Sequence, residues 1–192
     1  MSQQINPYIS PQEYLKLERQ AAYKSEYVHG QIFAMGGASR KHNLVGGNIF
    51  GELRQQLKGR SCEAYMSDMR VKVTATGLYN YPDVVVVCGE PKFEDEHLDI
   101  LLNPTVLVEV LSKSTERYDR IAKSSYYRTL DSLAEHLLVA QDEVRLEQYS
   151  RQPDGQWLLL DYRTVNDVAE LKSIGCSLRL RDVYYKVRFD GQ

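Results

Sequence analysis

The sequence predicts an α/β (α+β) domain in which a central mixed β-sheet is flanked by helices. Two apolar runs, YPDVVVVC (residues 81–88) and PTVLVEVLS (residues 104–112), are rich in β-branched residues and typical of buried strands. Amphipathic helical patterns precede and follow these runs. The chain contains no repeat, linker or low-complexity tract, so we expect a single domain over residues 1–192.

The first third of the chain predicts a helix, a hairpin and a longer helix. Ser10, Pro11 and Glu13 form a capping box, so a helix is expected from about Pro11 to Gln20. In EYVHGQIFAM, two half-apolar runs flank a His29-Gly30 turn, which indicates two strands. A helix capped by Ser39 and ending near Gly59 follows, with an apolar stripe formed by Leu44, Val45, Ile49, Phe50, Leu53 and Leu57.

The rest of the chain predicts mainly strands. CEAYMSDMRVKVTA alternates in the manner of strands, and the two β-branched runs come after it. Ser114 or Thr115 caps a helix to about Thr129, whose inward face is expected to hold Tyr118, Ile121, Ala122 and Tyr126. Strands EHLLVAQ, EVRLEQYS and QWLLLDYR follow, the last two joined by a Pro-Asp-Gly turn. The chain closes with GCSLRL and a short helical DVYYKV.

Composition limits the classes of function. The chain has 24 basic and 26 acidic residues, a net charge of −2 and a pI near 6.1, so a strongly basic nucleic-acid coat is excluded and any nucleic-acid contact must be local. No signal-peptide pattern or membrane-spanning run is present. Cys62, Cys88 and Cys176 are odd in number and widely spaced, which argues against disulfides and a thiolate zinc site. These features predict a soluble, cytoplasmic protein.

Two acidic residues occupy unusual positions in the apolar strands. Side chains alternate along a strand, so Glu109 shares its face with Leu107 and Leu111. Burying a carboxylate there costs several kcal/mol unless a partner or a metal compensates. If the two runs are neighbours in the sheet, Asp83 and Glu109 reach one notch. Carboxylate oxygens in that number suit Mg²⁺ or Mn²⁺.

Each of these acids also has a simpler interpretation. Asp83 follows a proline and can be an ordinary turn residue. Glu109 can pair with a buried arginine instead of a metal.

The pair Pro82-Asp83 and Glu109-Val110-Leu111 resembles the PD-(D/E)xK signature of restriction-endonuclease-like nucleases, except that leucine stands where the signature has lysine. The surrounding blocks resemble the Uma2 family (DUF820): SEYVHGQIFAM, SRKHN, SDMRV, YPDVVVV, VEVLSKST, and YDRIAKSSYYRTL followed by LAEHLLVAQ. The resemblance implies a restriction-endonuclease-like three-layer core and a nuclease activity dependent on Mg²⁺ or Mn²⁺.

The resemblance also implies roles for individual residues. Asp83 and Glu109 match the acids of the signature, Lys123 in YDRIAK matches a lysine moved to the following helix, and Glu26 matches an N-terminal acid that contributes to the metal site. Two alternatives stay open. Lys123 and Asp119 are spaced to form a surface ion pair worth about 0.2 to 0.5 kcal/mol, and Glu26 can be a solvated surface residue.

Substrate contacts are expected at two places. His42, Arg40 and Lys41 lie in the first turn of their helix, where free N–H groups favour a phosphate. His42 can instead be a satisfied structural partner. Tyr127 follows Lys123 on its side of the helix and can stack on a base, although most tyrosines suit half-buried sheet faces.

These observations lead to an expected function and its rivals. We expect an endonuclease acting on nucleic acid, in the first place double-stranded DNA, as a homodimer or higher homo-oligomer. The rivals are an inactive nuclease-fold module that binds DNA or a protein partner, and a phosphoesterase acting on small substrates.

Overall fold

The computed structural model describes residues 8–189. The short stretch before Tyr8, part of the segment inspected for a signal peptide, lies outside the described residues. The helices are α1 Pro11–Glu18, α2 Arg40–Gln56, α3 Glu116–Tyr118, α4 Ser124–Tyr127 and α5 Leu180–Val183, and a π-helical turn, Asp119–Lys123, joins α3 to α4. The strands are β1 Ser25–Val28, β2 Gln31–Ala34, β3 Cys62–Met66, β4 Arg70–Val73, β5 Leu78–Asn80, β6 Val84–Cys88, β7 Ile100–Leu101, β8 Val106–Leu111, β9 Glu135–Ala140, β10 Leu146–Arg151, β11 Trp157–Tyr162, β12 Val168–Leu171 and β13 Cys176–Arg179.

The largest sheet is mixed and contains both β-branched runs. Its strand order is β11-β10-β9-β8-β6-β3. Strands β8 and β9 are parallel, whereas β6 and β8 are antiparallel, with Val84 opposite Val108. The start of β6 therefore lies beside the end of β8, so the two runs are sheet neighbours at Asp83 and Glu109, as expected from the sequence.

The remaining strands form two smaller sheets. Strands β2-β1-β5-β4-β7 make a five-stranded sheet, and β12 pairs with β13 in a hairpin. The sequence pattern gave no means of dividing the strands, and one mixed sheet was expected. The mixed α+β architecture with a central sheet is confirmed, and the additional sheets provide much of the cover that helices were expected to provide.

The run of four valines is explained by cover on both faces of the central sheet. Val84 and Val86 pack with Val108 against the apolar stripe of α2, which places Val45, Ile49 and Leu53 in the core. Val85 and Val87 point to the opposite face, where they pack against residues of the five-stranded sheet and of the segment that follows α4. A strand covered on both faces needs apolar side chains at every position.

Two of the three predicted helix caps are confirmed, whereas Thr115 precedes α3 without making a side-chain capping bond. The Ser10 hydroxyl accepts a hydrogen bond from the Glu13 N–H, and the Ser39 hydroxyl accepts one from the His42 N–H. The β1–β2 hairpin turns at His29-Gly30 as expected. Among residues 8–189, no helix is both long and apolar enough to cross a bilayer.

The prediction that the cysteines remain unpaired is wrong for two of the three. Cys62 and Cys88 form a disulfide because β3 and β6 are antiparallel neighbours whose register places the two residues opposite each other. Their separation of 26 positions conceals this pairing in the sequence. Cys176 is free and buried. The expectation of a reducing compartment rested on unpaired cysteines, and it stays a prediction.

Candidate active site

The carboxylate at the start of the valine strand binds the neighbouring strand. Asp83 lies immediately before β6, and its Oδ2 accepts a hydrogen bond of 2.7 Å from the Val110 N–H in β8. This contact gives Asp83 a structural role in joining the two strands. It also places the Asp83 carboxylate one residue from Glu109 along β8, close enough that its charge raises the pKa of Glu109.

A helix of residues 116–127, here called the site helix, carries the lysine. It consists of α3, the π-helical turn and α4. The buried residues of this helix are Asp119, Lys123, Ser124 and Tyr127. The expected inward face is wrong, most clearly at Ile121, which is 63% exposed. A regular helix with about 3.6 residues per turn would place the apolar residues inward. In the structure the π-helical turn shifts the helix register, and the buried residues all carry polar groups.

Lys123 lies at the centre of a buried cluster of charges. Among the described residues, its Nζ forms ion pairs with Glu26 Oε1 at 2.7 Å, Glu109 Oε1 at 3.3 Å and Asp119 Oδ1 at 3.3 Å. The four residues, here called the lysine cluster, are between 3% and 9% exposed. The structure thus brings together Glu26, Glu109 and Lys123 from β1, β8 and the site helix.

The contacts and burial of the lysine cluster contradict the simpler interpretations of Lys123, Glu26 and Glu109. The Asp119–Lys123 pair exists, but it is buried and not a surface pair. Glu26 is buried, so it is not a solvated surface residue. The buried cation beside Glu109 is a lysine and not an arginine. Asp119 was considered only as a surface partner, although its i,i+4 spacing to Lys123 was the signal that connected it to the site.

Charge and burial act in opposite directions within the cluster. Burial raises the pKa of Glu109 well above its ordinary value, Lys123 opposes this, and the charges of Asp119 and Asp83 add to it. Burial lowers the pKa of Lys123, but attraction by Glu109, Glu26 and Asp119 outweighs burial, so this pKa is raised well above its ordinary value. Lys123 is therefore a permanent cation at neutral pH.

Tyr127 does not have the place expected for a residue that stacks on a base. Its ring is fully buried, and its hydroxyl donates a hydrogen bond to Glu109 Oε1. The same hydroxyl accepts a hydrogen bond from Asn80 Nδ2. No ring face is accessible to a nucleotide, so the stacking prediction is wrong. Asn80 was missed because it is far from Tyr127 in the sequence and no local pattern marks it.

The first turn of α2 lies on the Asp83 side of the site. His42 Nε2 is 3.3 Å from Asp83 Oδ2, and both side chains are less than one-fifth exposed. Burial lowers the pKa of His42, but the hydrogen bond and charge of Asp83 outweigh burial and raise it. Lys41 Nζ lies 3.4 Å from Asp142, and Arg40 is exposed to solvent. All three residues lie in the first turn of α2, and within the described part of the chain His42 is the one of the three that contacts an acid of the site.

The chemistry of the donors fits a divalent cation. Three carboxylates face one ammonium in the lysine cluster, which leaves an excess of negative charge when all of them are ionised. Carboxylate oxygens are the ligands that Mg²⁺ and Mn²⁺ prefer. The acids are nevertheless arranged around Lys123: within residues 8–189, no three His, Cys, Asp or Glu side chains already have the spacing of a metal site.

Comparison with known proteins shows similarity over almost the whole chain. The protein slr1290 of Synechocystis sp. PCC 6803 is 38% identical over 183 residues, 95% of each chain. The protein sll1609 of the same organism is 40% identical over 149 residues, 78% of this chain and 84% of that protein. A crystal structure from Anabaena variabilis ATCC 29413, described as a putative nuclease belonging to DUF820, has a TM-score of 0.74 at 19% identity, covering 92% of this chain and 97% of that one.

The family comparison agrees with the two sets of matches. The family model Uma2, described as "Putative restriction endonuclease", matches residues 11–181, a range that contains every residue of the candidate site. The structural neighbour is similar in fold, and the two cyanobacterial proteins are similar in sequence. This chain therefore belongs to the Uma2 family and has its restriction-endonuclease-like fold.

Proposed function

We propose that the protein is an endonuclease that hydrolyses phosphodiester bonds of nucleic acid with the help of Mg²⁺ or Mn²⁺, and that its substrate is double-stranded DNA. Membership of a family described as restriction endonucleases supports a nuclease-like function. The observation that carries the proposal is the lysine cluster, in which Lys123 meets Glu26 and Glu109 while Asp83 lies at the adjoining strand end.

The acids are assigned to the metal. Asp83, Glu109 and Glu26 are the residues that would hold the cation, because they are the acids at this end of β6 and β8 and at the first hairpin. A bound divalent cation supplies an acidified water and neutralises charge on the phosphate. Binding of a cation also favours the ionised form of Glu109, whose pKa is otherwise raised by burial.

Lys123 is assigned to the developing negative charge. Because its pKa is raised well above the ordinary value, its amine keeps its proton and cannot act as a base at neutral pH. A fixed ammonium in a site that excludes water stabilises an oxyanion far better than a solvated one does. Its three carboxylate partners hold the Nζ in place, so the Lys123 ammonium needs little rearrangement when substrate arrives.

The first turn of α2 is assigned to the substrate backbone. His42 touches Asp83, so a phosphate bound near His42 lies close to the acids. Arg40 and Lys41 add positive charge at the N-terminus of a helix of 17 residues, where free N–H groups also favour anions. We expect phosphate contacts and not base contacts here. A dimer that cuts both strands stays a prediction.

A second candidate is a nuclease-fold module that binds nucleic acid or a protein without cleaving. One observation favours it: the acids of the described site surround Lys123 and do not form a ready-made cluster of three ligands. In such a module Lys123 would permanently hold the position among the acids that a metal ion would otherwise take. The module then needs no divalent cation, either for its stability or for binding nucleic acid or a protein.

Nicking of supercoiled plasmid separates the two candidates. The assay compares wild type, Asp83→Asn, Lys123→Met and the control Glu90→Gln, each with Mg²⁺, with Mn²⁺ and with a chelator. If the protein is the proposed nuclease, it nicks plasmid with Mg²⁺ or Mn²⁺ and not with the chelator. We expect the nicking rate of Asp83→Asn and of Lys123→Met to fall by at least about 100-fold, and that of Glu90→Gln to equal the wild-type rate. DNA binding without cleavage in any cation supports the module, and equal rates in all four proteins contradict the nuclease. Cleavage of a model diester but not of plasmid would indicate a small-substrate phosphoesterase.

A further inference from the structure

A buried chain of two hydrogen bonds ends on Glu109. The Asn80 amide donates to the Tyr127 hydroxyl, and that hydroxyl donates to Glu109 Oε1. Asn80 and Tyr127 are both completely shielded from solvent. The three residues come from β5, α4 and β8. The two hydrogen bonds therefore connect the five-stranded sheet, the site helix and the central sheet at one carboxylate.

The contacts of Glu109 are unevenly distributed over its two oxygens. The hydrogen bond from Tyr127 and the ion pair with Lys123 both fall on Oε1. Oε2 accepts no hydrogen bond from the described residues. The last torsion of a glutamate is soft, and an ammonium attracts a carboxylate from many directions, so Lys123 alone does not fix the carboxylate plane. A hydrogen bond from a hydroxyl on a rigidly held ring is directional, so it restricts the orientation of the Glu109 carboxylate in a way that Lys123 does not.

Tyr127 is itself firmly held. Its ring belongs to the apolar cluster with Val85, Leu107 and Leu133. The ring of His136 meets it edge to face, with centroids 5.1 Å apart. Because the ring is packed in this cluster and the Asn80 amide donates to the hydroxyl oxygen, the hydroxyl proton is directed at Glu109.

We propose that Tyr127, supported by Asn80, is a positioning residue: it fixes Oε1 of Glu109 beside Lys123 and so presents Oε2 to the divalent cation. This inference rests on the proposed function, because it assigns the orientation of one of the proposed metal-binding acids. It replaces the expected contact between Tyr127 and a base with a contact that acts through Glu109. Residues that orient metal ligands typically change metal affinity or activity by about 10- to 100-fold when they are replaced.

The test compares Tyr127→Phe with the matched variant Tyr162→Phe. Tyr162 also donates its hydroxyl to a side-chain oxygen, Gln148 Oε1 at 3.0 Å, but it lies on β11, three strands from β8. Both variants keep the ring and remove a hydroxyl that donates to a side-chain oxygen. Tyr127→Phe also removes the acceptor of the Asn80 amide, so the melting temperature of each variant is measured as a control for folding. For each protein, calorimetry gives the dissociation constant for Mn²⁺, and plasmid nicking gives kcat and KM.

In Tyr127→Phe we expect Mn²⁺ affinity and kcat to fall about 10-fold or more, with KM for plasmid nearly unchanged. Tyr162→Phe should match wild type in all three quantities. Asn80→Ala, which leaves Tyr127 in place, should shift Mn²⁺ affinity in the same direction by a smaller factor. A Tyr127→Phe protein with wild-type Mn²⁺ affinity and kcat overturns the inference alone. A wild type that neither binds Mn²⁺ nor cleaves overturns the proposed function and this inference with it.

Discussion

Lys123 is the residue on which the buried charges of the site depend. It is 4% exposed and forms ion pairs with Glu26, Glu109 and Asp119, all of them buried. Removing one partner of a buried ion pair leaves the other charge without compensation, which costs about 3 to 5 kcal/mol. A cation in this place therefore serves folding as well as any chemistry.

We predict that Lys123→Met lowers the free energy of unfolding by about 3 kcal/mol or more at pH 7, because it leaves buried carboxylates unpaired. The control is Lys92→Met at an exposed lysine, where a change within about 0.5 kcal/mol is expected. Urea titrations of both variants and of wild type provide the measurement. If divalent cations bind the acids, added Mn²⁺ should recover part of the loss. An Lys123→Met protein as stable as wild type would contradict the description of the cluster as mutually dependent charges.

His136 gives the protein a pH dependence of stability. It is fully buried between Tyr127 and Tyr149, and neither ring nitrogen has a hydrogen-bond partner among the described residues. Burial, together with the charges of Arg128 and Lys123, lowers the pKa of His136 from 6.5 to about 3. The folded protein thus keeps this histidine neutral at pH values at which the unfolded chain protonates it.

Stability should therefore fall as the pH drops below about 6.5, with a contribution from His136 of up to about 1.4 kcal/mol per pH unit. Between pH 7 and pH 5 this residue accounts for a loss of about 2 kcal/mol. In His136→Phe that contribution should vanish, whereas His97→Gln at an exposed histidine should keep it. Urea titrations at pH 7, 6 and 5 measure it. Parallel pH profiles for wild type and His136→Phe would contradict the buried neutral state.

At the scale of elements, the π-helical turn decides which residues of the site helix face the acids. π-helical turns inside α-helices are often found at functional sites. Here the turn Asp119–Lys123 is closed in part by the Ser124 hydroxyl, which donates to the Asp119 carbonyl at 2.7 Å. Asp119, Lys123 and Tyr127 share the buried face. An inward apolar stripe is absent because Asp119 and Lys123 on this face meet charged groups, and only the Tyr127 end of it reaches an apolar cluster.

The exposure of Ile121 provides a test of this helix register. Ile121→Gln should change the free energy of unfolding by no more than about 0.5 kcal/mol, because the side chain is 63% exposed. Leu130→Ala, at a buried residue just after the site helix, should cost about 2 to 5 kcal/mol. Thermal or urea unfolding of the two variants is sufficient. A cost for Ile121→Gln close to that of Leu130→Ala would favour the regular helix that the sequence predicted.

Local patterns predicted the elements, whereas long-range contacts could not be predicted. The caps at Ser10 and Ser39 and the valine strand follow from short-range physics, so their positions were correct. The disulfide between Cys62 and Cys88 and the contact of Asn80 with Tyr127 depend on strand register and on tertiary packing. Composition and periodicity carry no information on either.

At the scale of the whole molecule, charge limits how nucleic acid is bound. The chain carries a net charge of −2, so the phosphate contacts must come from a few local residues. Arg40 is exposed at the N-terminus of α2, two residues before His42, whose ring contacts Asp83. Such a surface predicts weak binding with a shallow dependence on salt.

We predict that Arg40→Ala weakens binding to a DNA duplex and reduces the slope of log K against log salt by about 0.9, the value of one phosphate contact. Arg179 is exposed on β13, and Arg179→Ala should leave affinity and slope unchanged. Fluorescence anisotropy at several salt concentrations, in the presence of Ca²⁺ to limit cleavage, measures both quantities. Equal slopes for wild type and Arg40→Ala would place the substrate elsewhere.

The full set of residues that forms the site could be predicted only with the help of the family resemblance. Residue patterns alone gave two unusual acids, Asp83 and Glu109, and a strand pairing that would bring them close. Resemblance to Uma2 proteins added Glu26 and Lys123, which lie far apart in the sequence and meet in the lysine cluster. The burial of Lys123 could not be inferred, because the helix periodicity placed Ile121 inward in its stead.

The most direct test of the central claim is metal-dependent nicking of supercoiled plasmid by wild type, Glu109→Gln and Glu135→Gln. Glu135 is a matched control because it is a buried glutamate on β9, the strand next to β8, with polar partners of its own outside the lysine cluster. Wild type and Glu135→Gln should nick plasmid with Mg²⁺ or Mn²⁺, and Glu109→Gln should be slower by at least about 100-fold. Nicking by Glu109→Gln at the wild-type rate would contradict the claim that this cluster is a nuclease active site.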